Sequence, residues 1–95
     1  MLEGTVISRS DNLMETHFND ELIALHMGTS KFHMFNTVAQ RIWEIVEVPT
    51  TMQTLCDRLC DEFEVDMATC KQDVGELIDY LVVENVIVLD NVQLS

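Results

Sequence analysis

The first third of the chain alternates between apolar and polar residues, with the period of two that is typical of β-strands. Two segments rich in turn-forming residues, 19–20 and 28–30, interrupt this alternation. Asn and Asp favour a two-residue hairpin turn, and we expect Gly28 to supply a positive φ in the second turn. The predicted strands cover residues 5–8, 13–18, 22–27 and 31–35. They predict a meander of three or four antiparallel strands, with Phe32 and Met34 on one side of the last strand.

After this region the spacing of apolar residues changes from two to about 3.6, which indicates amphipathic helices. Asn36, Thr50 or Thr51, and Asp66 have side chains that can cap a helix N-terminus. The third helix should end near Asn85, because Asn tolerates the left-handed conformation that often follows a helix. The three apolar stripes are Ala39, Ile42, Trp43 and Val46; then Met52, Leu55, Cys56, Leu59 and Phe63; then Met67, Cys70, Val74, Leu77, Ile78 and Leu81.

The elements therefore follow the order of strands, three helices and a final apolar segment at 86–89, which is one more strand or an extended tail. The first helix should cover residues 37–47. Segregated strands and helices predict an α+β domain, arranged like a winged helix-turn-helix whose sheet comes first. Ninety-five residues suit one domain over 1–95, with a core at about 5–89. The chain has no apolar stretch long enough to span a membrane, and its start does not resemble a signal peptide.

The net charge of the chain is −12, from 17 acidic and five basic residues. The charge is uneven, since residues 1–48 have a net charge of −4 and residues 49–95 a net charge of −8. Binding to nucleic acids or to anionic membranes depends on Lys and Arg, which are scarce here. The composition therefore disfavours both kinds of partner, whereas it suits a basic partner.

The three cysteines and three histidines do not form a recognisable metal or catalytic motif. Cys56 and Cys60 lie four residues apart on one face of a predicted helix, but a structural zinc site needs four ligands. An odd number of cysteines without a signal peptide predicts reduced thiols in the cytoplasm, buried as small apolar side chains. The histidines lie in the strand region at His17, His26 and His33. Phosphate-binding loops and hydrolase motifs are also missing, so we expect no enzyme activity and no cofactor.

Two features of the sequence suit peptide binding. The strand at 31–35 comes last in the meander, so we expect it at a sheet edge, where another chain can pair with its backbone. The third helix has a flank that combines Leu77 and Tyr80 with the acidic Asp73 and Glu84. Such a flank could hold a peptide with an apolar anchor and a basic residue, although Tyr80 could equally cover the core with its hydroxyl group in water.

Five segments follow one another in a specific order and spacing. They are residues 28–36, Ile42-Trp43, residues 51–55, residues 63–65 and Asp73-Val74 with Leu77 and Leu81. Taken together, they resemble the PqqD-like family of peptide chaperones, also called RiPP recognition elements, over about residues 14–89. The sequence departs from the family pattern at Phe35, where Leu is common, at Val48-Pro49, where Gly is common, and at Asn85, which replaces Gly.

The resemblance implies a non-catalytic domain that binds the leader segment of a ribosomally made precursor peptide. The leader would add a strand to the edge at 31–35, clamped by the third helix, and the domain would present it in trans to a lasso-type leader peptidase or a radical SAM enzyme. The residues implied in the site are Lys31, Phe32, His33, Met34 and Phe35 on the edge, and Asp73, Leu77 and Tyr80 on the helix.

Three other interpretations remain open from the sequence. A winged-helix regulator would need a basic recognition helix, whereas the candidate helices contain only Arg58 and Lys71 among many acids. A metal-dependent or redox protein would use Cys56 and Cys60. A dimerisation module, with no peptide ligand, would pair the edge strand at 31–35 with its own copy.

Overall fold

The computed structural model describes residues 4–91, except for the side chain of residue 91. Strands come first, followed by three helices and a last strand, which confirms the predicted α+β class. The winged helix-turn-helix arrangement stays a prediction. The elements are β1 (Thr5–Arg9), β2 (Leu13–Phe18), β3 (Glu21–His26), β4 (Lys31–Phe35), α1 (Thr37–Ile45), β5 (Thr50–Thr51), α2 (Met52–Phe63), α3 (Met67–Val83) and β6 (Ile87–Asn91).

The strands form two antiparallel sheets. β2, β3 and β4 make the meander sheet, in the order of the chain. β1 lies instead between β5 and β6, in what we call the terminal sheet, so the meander has three strands. β1 pairs with β6 from Thr5 opposite Asn91 to Arg9 opposite Ile87. The segment at 86–89, which the sequence left as a strand or a tail, is therefore mostly a strand that ties the two ends of the domain together.

The turn between β2 and β3 confirms the prediction made from its two residues. Asn19 has a φ of 53° and Asp20 a φ of 67°, which are the two positive values that a type I′ hairpin turn requires. The turn places Phe18 opposite Glu21 and so sets the register of the first hairpin. The pairing of the remaining residues of β2 and β3 follows from this register.

The turn between β3 and β4 differs from the prediction, because Gly28 does not adopt a positive φ. Ser30 does, with a φ of 60°. The His26 side chain folds under the turn, where its Nδ1 atom accepts hydrogen bonds from the N–H groups of Gly28 and Thr29, both at 3.1 Å. A Cβ atom on residue 28 would lie 2.9 Å from His26 Cε1. Glycine is therefore required at position 28 for close approach of the imidazole rather than for backbone conformation.

Trp43 of α1 lies between the two sheets and contacts both of them. Its ring packs against Phe35 of β4, with 5.6 Å between the ring centroids. On the other side, the guanidinium group of Arg9 in β1 lies 4.2 Å from the centroid of the Trp43 ring. Arg9 also donates hydrogen bonds of 3.0 and 2.7 Å to the Trp43 carbonyl oxygen. The Trp43 side chain is buried, and its Nε1 atom donates to Glu15 of β2.

The helix ends agree closely with the predicted caps. Asn36, Thr51 and Asp66 each accept a hydrogen bond from a backbone N–H three residues later. Asn85 follows α3 with a φ of 61°, and the N–H of Val86 donates to the Leu81 carbonyl at 2.9 Å. This pattern is a Schellman motif, and it turns the chain directly into β6. The first helix ends at residue 45, two residues before its predicted end.

The buried side chains of the helices and sheets form one core. The apolar stripes predicted for the helices are largely buried, while Phe63, Met67 and Leu77 are only partly buried at its border. At the surface, Arg41 of α1 donates two hydrogen bonds to Glu62 of α2, at 2.6 and 3.0 Å. This pairing lowers the pKa of the Glu62 carboxyl and joins the first two helices.

We expect truncation of Trp43 to be the most damaging change to this core. Trp43→Ala would leave a cavity between the two sheets and remove the ring on which Arg9 stacks, so it should lower the free energy of unfolding by about 3–5 kcal/mol. Urea denaturation followed by circular dichroism would measure the change. A loss below about 1 kcal/mol would show that Trp43 is not the link between the sheets.

The two internal glycines should respond to alanine in opposite directions. Gly28→Ala would push the His26 ring away from the turn, and we expect it to lower the free energy of unfolding by about 1–3 kcal/mol. Gly75 lies in α3 with no atom within 4 Å of an added Cβ atom. Gly75→Ala should therefore raise the free energy of unfolding by about 0.5–1 kcal/mol. Thermal denaturation of both variants would test the contrast, which equal effects would contradict.

Candidate functional site: the groove between β4 and α3

The meander sheet has two edge strands, β2 and β4, and the free edge of β4 is the starting point of the candidate site. Among the described residues, β4 pairs with β3 on one side and with no strand on the other. In an antiparallel sheet, alternate residues of such a strand direct their N–H and C=O groups away from the sheet. These groups are available to an added strand, as the sequence predicted for residues 31–35.

The helix α3 runs along this edge in the opposite direction. Near one end, Lys31 Nζ lies 3.6 Å from Glu84 Oε1. Near the other end, Asn36, Asp73 and Leu77 line a common cavity. The two elements have matching lengths between these points. The five residue steps from Lys31 to Asn36 in extended chain and the eleven from Asp73 to Glu84 in helix each span about 17 Å. We call the space between them the β4–α3 groove.

A cavity of about 350 Å³ opens at the end of the groove near the start of α3. Its size is at the small end of ligand-binding pockets, and it suits one large side chain of a peptide. Its walls are mainly apolar and come from the start of α1, from α2 and α3, and from the segment between α2 and α3. The lining residues are Asn36, Val38, Leu59, Phe63, Val65, Thr69, Cys70, Asp73, Val74 and Leu77.

The side chains of β4 alternate between two environments. Phe32 and Met34 are 70% and 67% exposed, and they lie on the outer face of the meander sheet. His33 and Phe35 are only 6% and 5% exposed, and they point into the domain. The predicted contribution of this strand to a peptide site therefore comes from its backbone, because neither set of side chains projects along the free edge.

The three residues predicted on α3 lie on the flank beside the groove. Asp73 and Leu77 line the cavity, while Tyr80, which is half exposed, lies one turn further along the helix. Residues three and four positions apart share a helix face, so these side chains and Glu84 form one row. Asp73 and Glu84 make this row acidic.

The structure adds several residues that the sequence did not place in the site. Phe63 was assigned to the buried stripe of α2, but its side chain is partly exposed in the wall of the cavity. Val65 lies in the link between α2 and α3 and is exposed. An exposed Val directly after an amphipathic helix was the only local signal for this wall. Asn36 caps α1 and also lines the cavity, and its place in the cavity wall could be recognised only from the three-dimensional structure.

His33 has a buried polar atom without a partner. Its Nε2 atom makes no hydrogen bond to any described residue, although the side chain lies inside the domain. An unsatisfied buried donor or acceptor costs about 1–3 kcal/mol. β4 is therefore a less stable strand than its burial alone suggests.

The cysteines lie on α2 and α3, and Cys70 lines the cavity. Burial raises the pKa of the Cys56 thiol, and burial together with the neighbouring thiols raises the pKa of Cys70 to about 12. The Cys70 thiol donates a weak hydrogen bond to the Cys56 carbonyl at 3.9 Å. Within residues 4–91, no group of three His, Cys, Asp or Glu side chains could hold a metal ion. The thiols of Cys56 and Cys70 are therefore protonated at neutral pH and are poor nucleophiles.

We therefore expect Cys56 and Cys70 to resist alkylation in the folded protein. At pH 7.5, a value about 4.5 units below the Cys70 pKa, almost none of that thiol is ionised. Iodoacetamide should label neither residue in the native state, whereas both should react after denaturation in urea. Peptide mapping by mass spectrometry would measure this, and rapid native labelling of Cys70 would contradict the described packing.

The fold and the groove define a small α+β domain whose open sheet edge faces a helix with an acidic flank. The chain belongs to the PqqD family, since the family model described as "Coenzyme PQQ synthesis protein D (PqqD)" matches residues 21–87. This match includes β4, α3 and the cavity. It confirms the resemblance identified from the sequence.

Comparison with solved structures gives a similar protein with a bound peptide. The structure described as "TbiB1 in Complex with the TbiA(beta) Leader Peptide" is 26% identical in sequence and superimposes with a TM-score of 0.77. The alignment covers 84% of this chain and 93% of that one. No curated protein matches the chain. None of the described helices is long and apolar enough to cross a membrane.

Proposed function

We propose that this domain binds the leader segment of a ribosomally synthesised precursor peptide and delivers it to a modifying enzyme. The observation that supports this most directly is the free edge of β4 beside α3, in a fold similar to that of a leader-bound protein. The domain contributes binding and no catalytic chemistry. Its role is to hold a flexible substrate close to an enzyme.

The leader would bind as a fourth strand of the meander sheet. It would pair with the outward-facing N–H and C=O groups of β4 at the usual strand spacing of about 4.8 Å. Backbone pairing would set the register of the peptide without depending strongly on its sequence. The row of Asp73, Leu77 and Tyr80 would then contact the peptide from the helix side.

Selectivity would come from the cavity and from the acidic flank. An aromatic or large aliphatic side chain of the leader would enter the cavity, where Phe63 and Leu77 provide apolar contacts. Asp73 at the cavity would favour a basic residue in the leader, whereas Glu84 at the far end of the groove is paired with Lys31. The high negative charge of the domain would also speed the encounter with a basic peptide.

The enzyme partner would be a lasso-type leader peptidase or a radical SAM enzyme that the domain contacts in trans. Either enzyme must act on residues outside the bound leader, so the domain raises the local concentration of the substrate instead of shaping the active site.

The direct test is titration of a synthetic leader into isotope-labelled protein. The peptide should come from a precursor encoded beside the gene of this chain. We expect micromolar binding, with amide shift changes concentrated at 31–35 and 73–81. A well-folded spectrum that no neighbouring leader perturbs would refute the proposed function.

Asp73 offers a matched test of the acidic flank, because the exposed Asp79 lies on the same helix about 120° around its axis from Asp73 and outside the cavity lining. Asp73→Ala should weaken binding of a basic leader about two- to fivefold, as expected for an exposed ion pair. Asp79→Ala removes the same charge but should leave affinity nearly unchanged. Isothermal titration calorimetry would measure both variants, and both should keep their melting temperature. Equal affinities would remove Asp73 from the site.

A further inference from the structure

The meander sheet has a second apolar surface, on the side away from the core. Strand register places Met14, Leu25 and Phe32 in one row across the three strands. Thr16, Ile23 and Met34 form the next row. We call this surface the outer face. It consists of Met14, Thr16, Phe18, Glu21, Ile23, Leu25, Phe32 and Met34.

The outer face is large for an exposed apolar surface on a small domain. Met14 and Phe18 are 59% and 65% exposed, in addition to the exposed side chains of Phe32 and Met34. Together these four side chains expose on the order of 500 Å² of surface, since a large side chain presents about 200 Å². Patches on monomeric proteins reach about 300–600 Å² and are often functional. The outer face is therefore at the upper end for a monomer.

We infer that the outer face is the interface of a homodimer, in which two copies pack their meander sheets against each other. Two such faces bury about 1,000 Å² from the four exposed side chains alone, and the half-buried Ile23 and Leu25 add to it. Specific interfaces begin at about 1,200 Å² in total. A two-fold axis through the centre of the face would stack the sheets at about 10 Å.

The chemistry of the outer face favours a second copy of itself over a charged partner. Glu21 is the only ionisable residue on the face, at the end near the β2–β3 turn. A self-complementary contact places Met and Phe side chains against Met and Phe side chains, which pack readily because Met is flexible. The net charge of −12 on each copy opposes association at long range. Salt should therefore strengthen this dimer, whereas it would weaken a complex with a basic partner.

The proposed interface leaves the backbone of β4 free. Face-to-face packing uses side chains perpendicular to the sheet, while strand addition uses the edge. The dimer would consequently keep two open β4–α3 grooves, a step that rests on the proposed function. This arrangement differs from a dimer formed by pairing two β4 edges, which a bound leader would displace.

Sedimentation velocity of the full chain tests the interface. We expect the weight-average sedimentation coefficient to rise from the monomer to the dimer value between micromolar and near-millimolar concentration. The midpoint should move to lower concentration as the salt concentration is raised. A monomer at every concentration, or a dimer that salt weakens, would overturn the inference.

Two substitutions with the same change in charge locate the contact. Met14→Glu places a carboxylate within the outer face on β2, the strand furthest from the groove. It should weaken association at least about tenfold, because a charge buried without a partner is strongly unfavourable. Val48→Glu introduces the same charge at an exposed position in the link between α1 and β5, and should leave the dimer intact. If circular dichroism shows that Met14→Glu is unfolded, Phe18→Glu replaces it. Equal dimerisation of the variant on the face and the control would contradict the proposed interface.

Adding the leader peptide separates this inference from the proposed function. A dimer that persists with one leader bound per subunit supports both. A dimer with no leader binding keeps the interface and removes the function. Leader binding that dissociates the dimer would assign the contact to the β4 edge and overturn the outer-face interface.

Discussion

The placement of Trp43 between the two sheets is the contact on which the rest of the domain depends. The meander sheet and the terminal sheet share no strand, so their relative position must come from side chains. Trp43 meets Phe35 of the first sheet and Arg9 of the second, and its own carbonyl oxygen fixes the Arg9 guanidinium group through two hydrogen bonds. Because Arg is planar and permanently charged, it can stack on the indole ring while satisfying these bonds. One residue of α1 thereby contacts both sheets directly.

The packing around Trp43 also positions the two walls of the groove, β4 and α3. Phe35 is the last residue of β4, so its packing on Trp43 holds the strand from the inner side and leaves the other edge free. α3 is held independently, because Asn85 turns the chain into β6 and β6 pairs with β1, the strand that carries Arg9. Both β4 and α3 are therefore connected to the same cluster, which consists of Phe35, Trp43 and Arg9. A groove with fixed walls binds a flexible peptide at a lower entropic cost than one that must first assemble.

The sequence predicted those features that depend on a few consecutive residues. The turn at 19–20 needs only two residues that tolerate positive φ, and the helix caps need one side chain within reach of a backbone N–H three residues later. The place of β1 could not be predicted in this way, since its partner β6 lies at the other end of the chain. Gly28 is a different case. The sequence predicted its turn, but glycine is favoured there because the His26 ring lies close to it, which only the structure shows. The cavity joins parts of three helices and the links beside them, so its outline was visible only in three dimensions.

The outer face of the meander sheet is mainly apolar although it is exposed, and this has a functional consequence. A sheet that faced water on its outer side would be expected to alternate cleanly between apolar and polar residues. On β4 the inner His33 is polar and unsatisfied, whereas the outer Phe32 and Met34 are apolar and exposed, which is the reverse of what stability alone would favour. Exposed apolar side chains such as Phe32 and Met34 do not stabilise the isolated chain. A contact with a second molecule would explain why they are there. The edge and the outer face are perpendicular to each other, so a strand can be added along one without disturbing a partner on the other. The short strand β4 can thus serve two contacts, one through its backbone and one through its side chains.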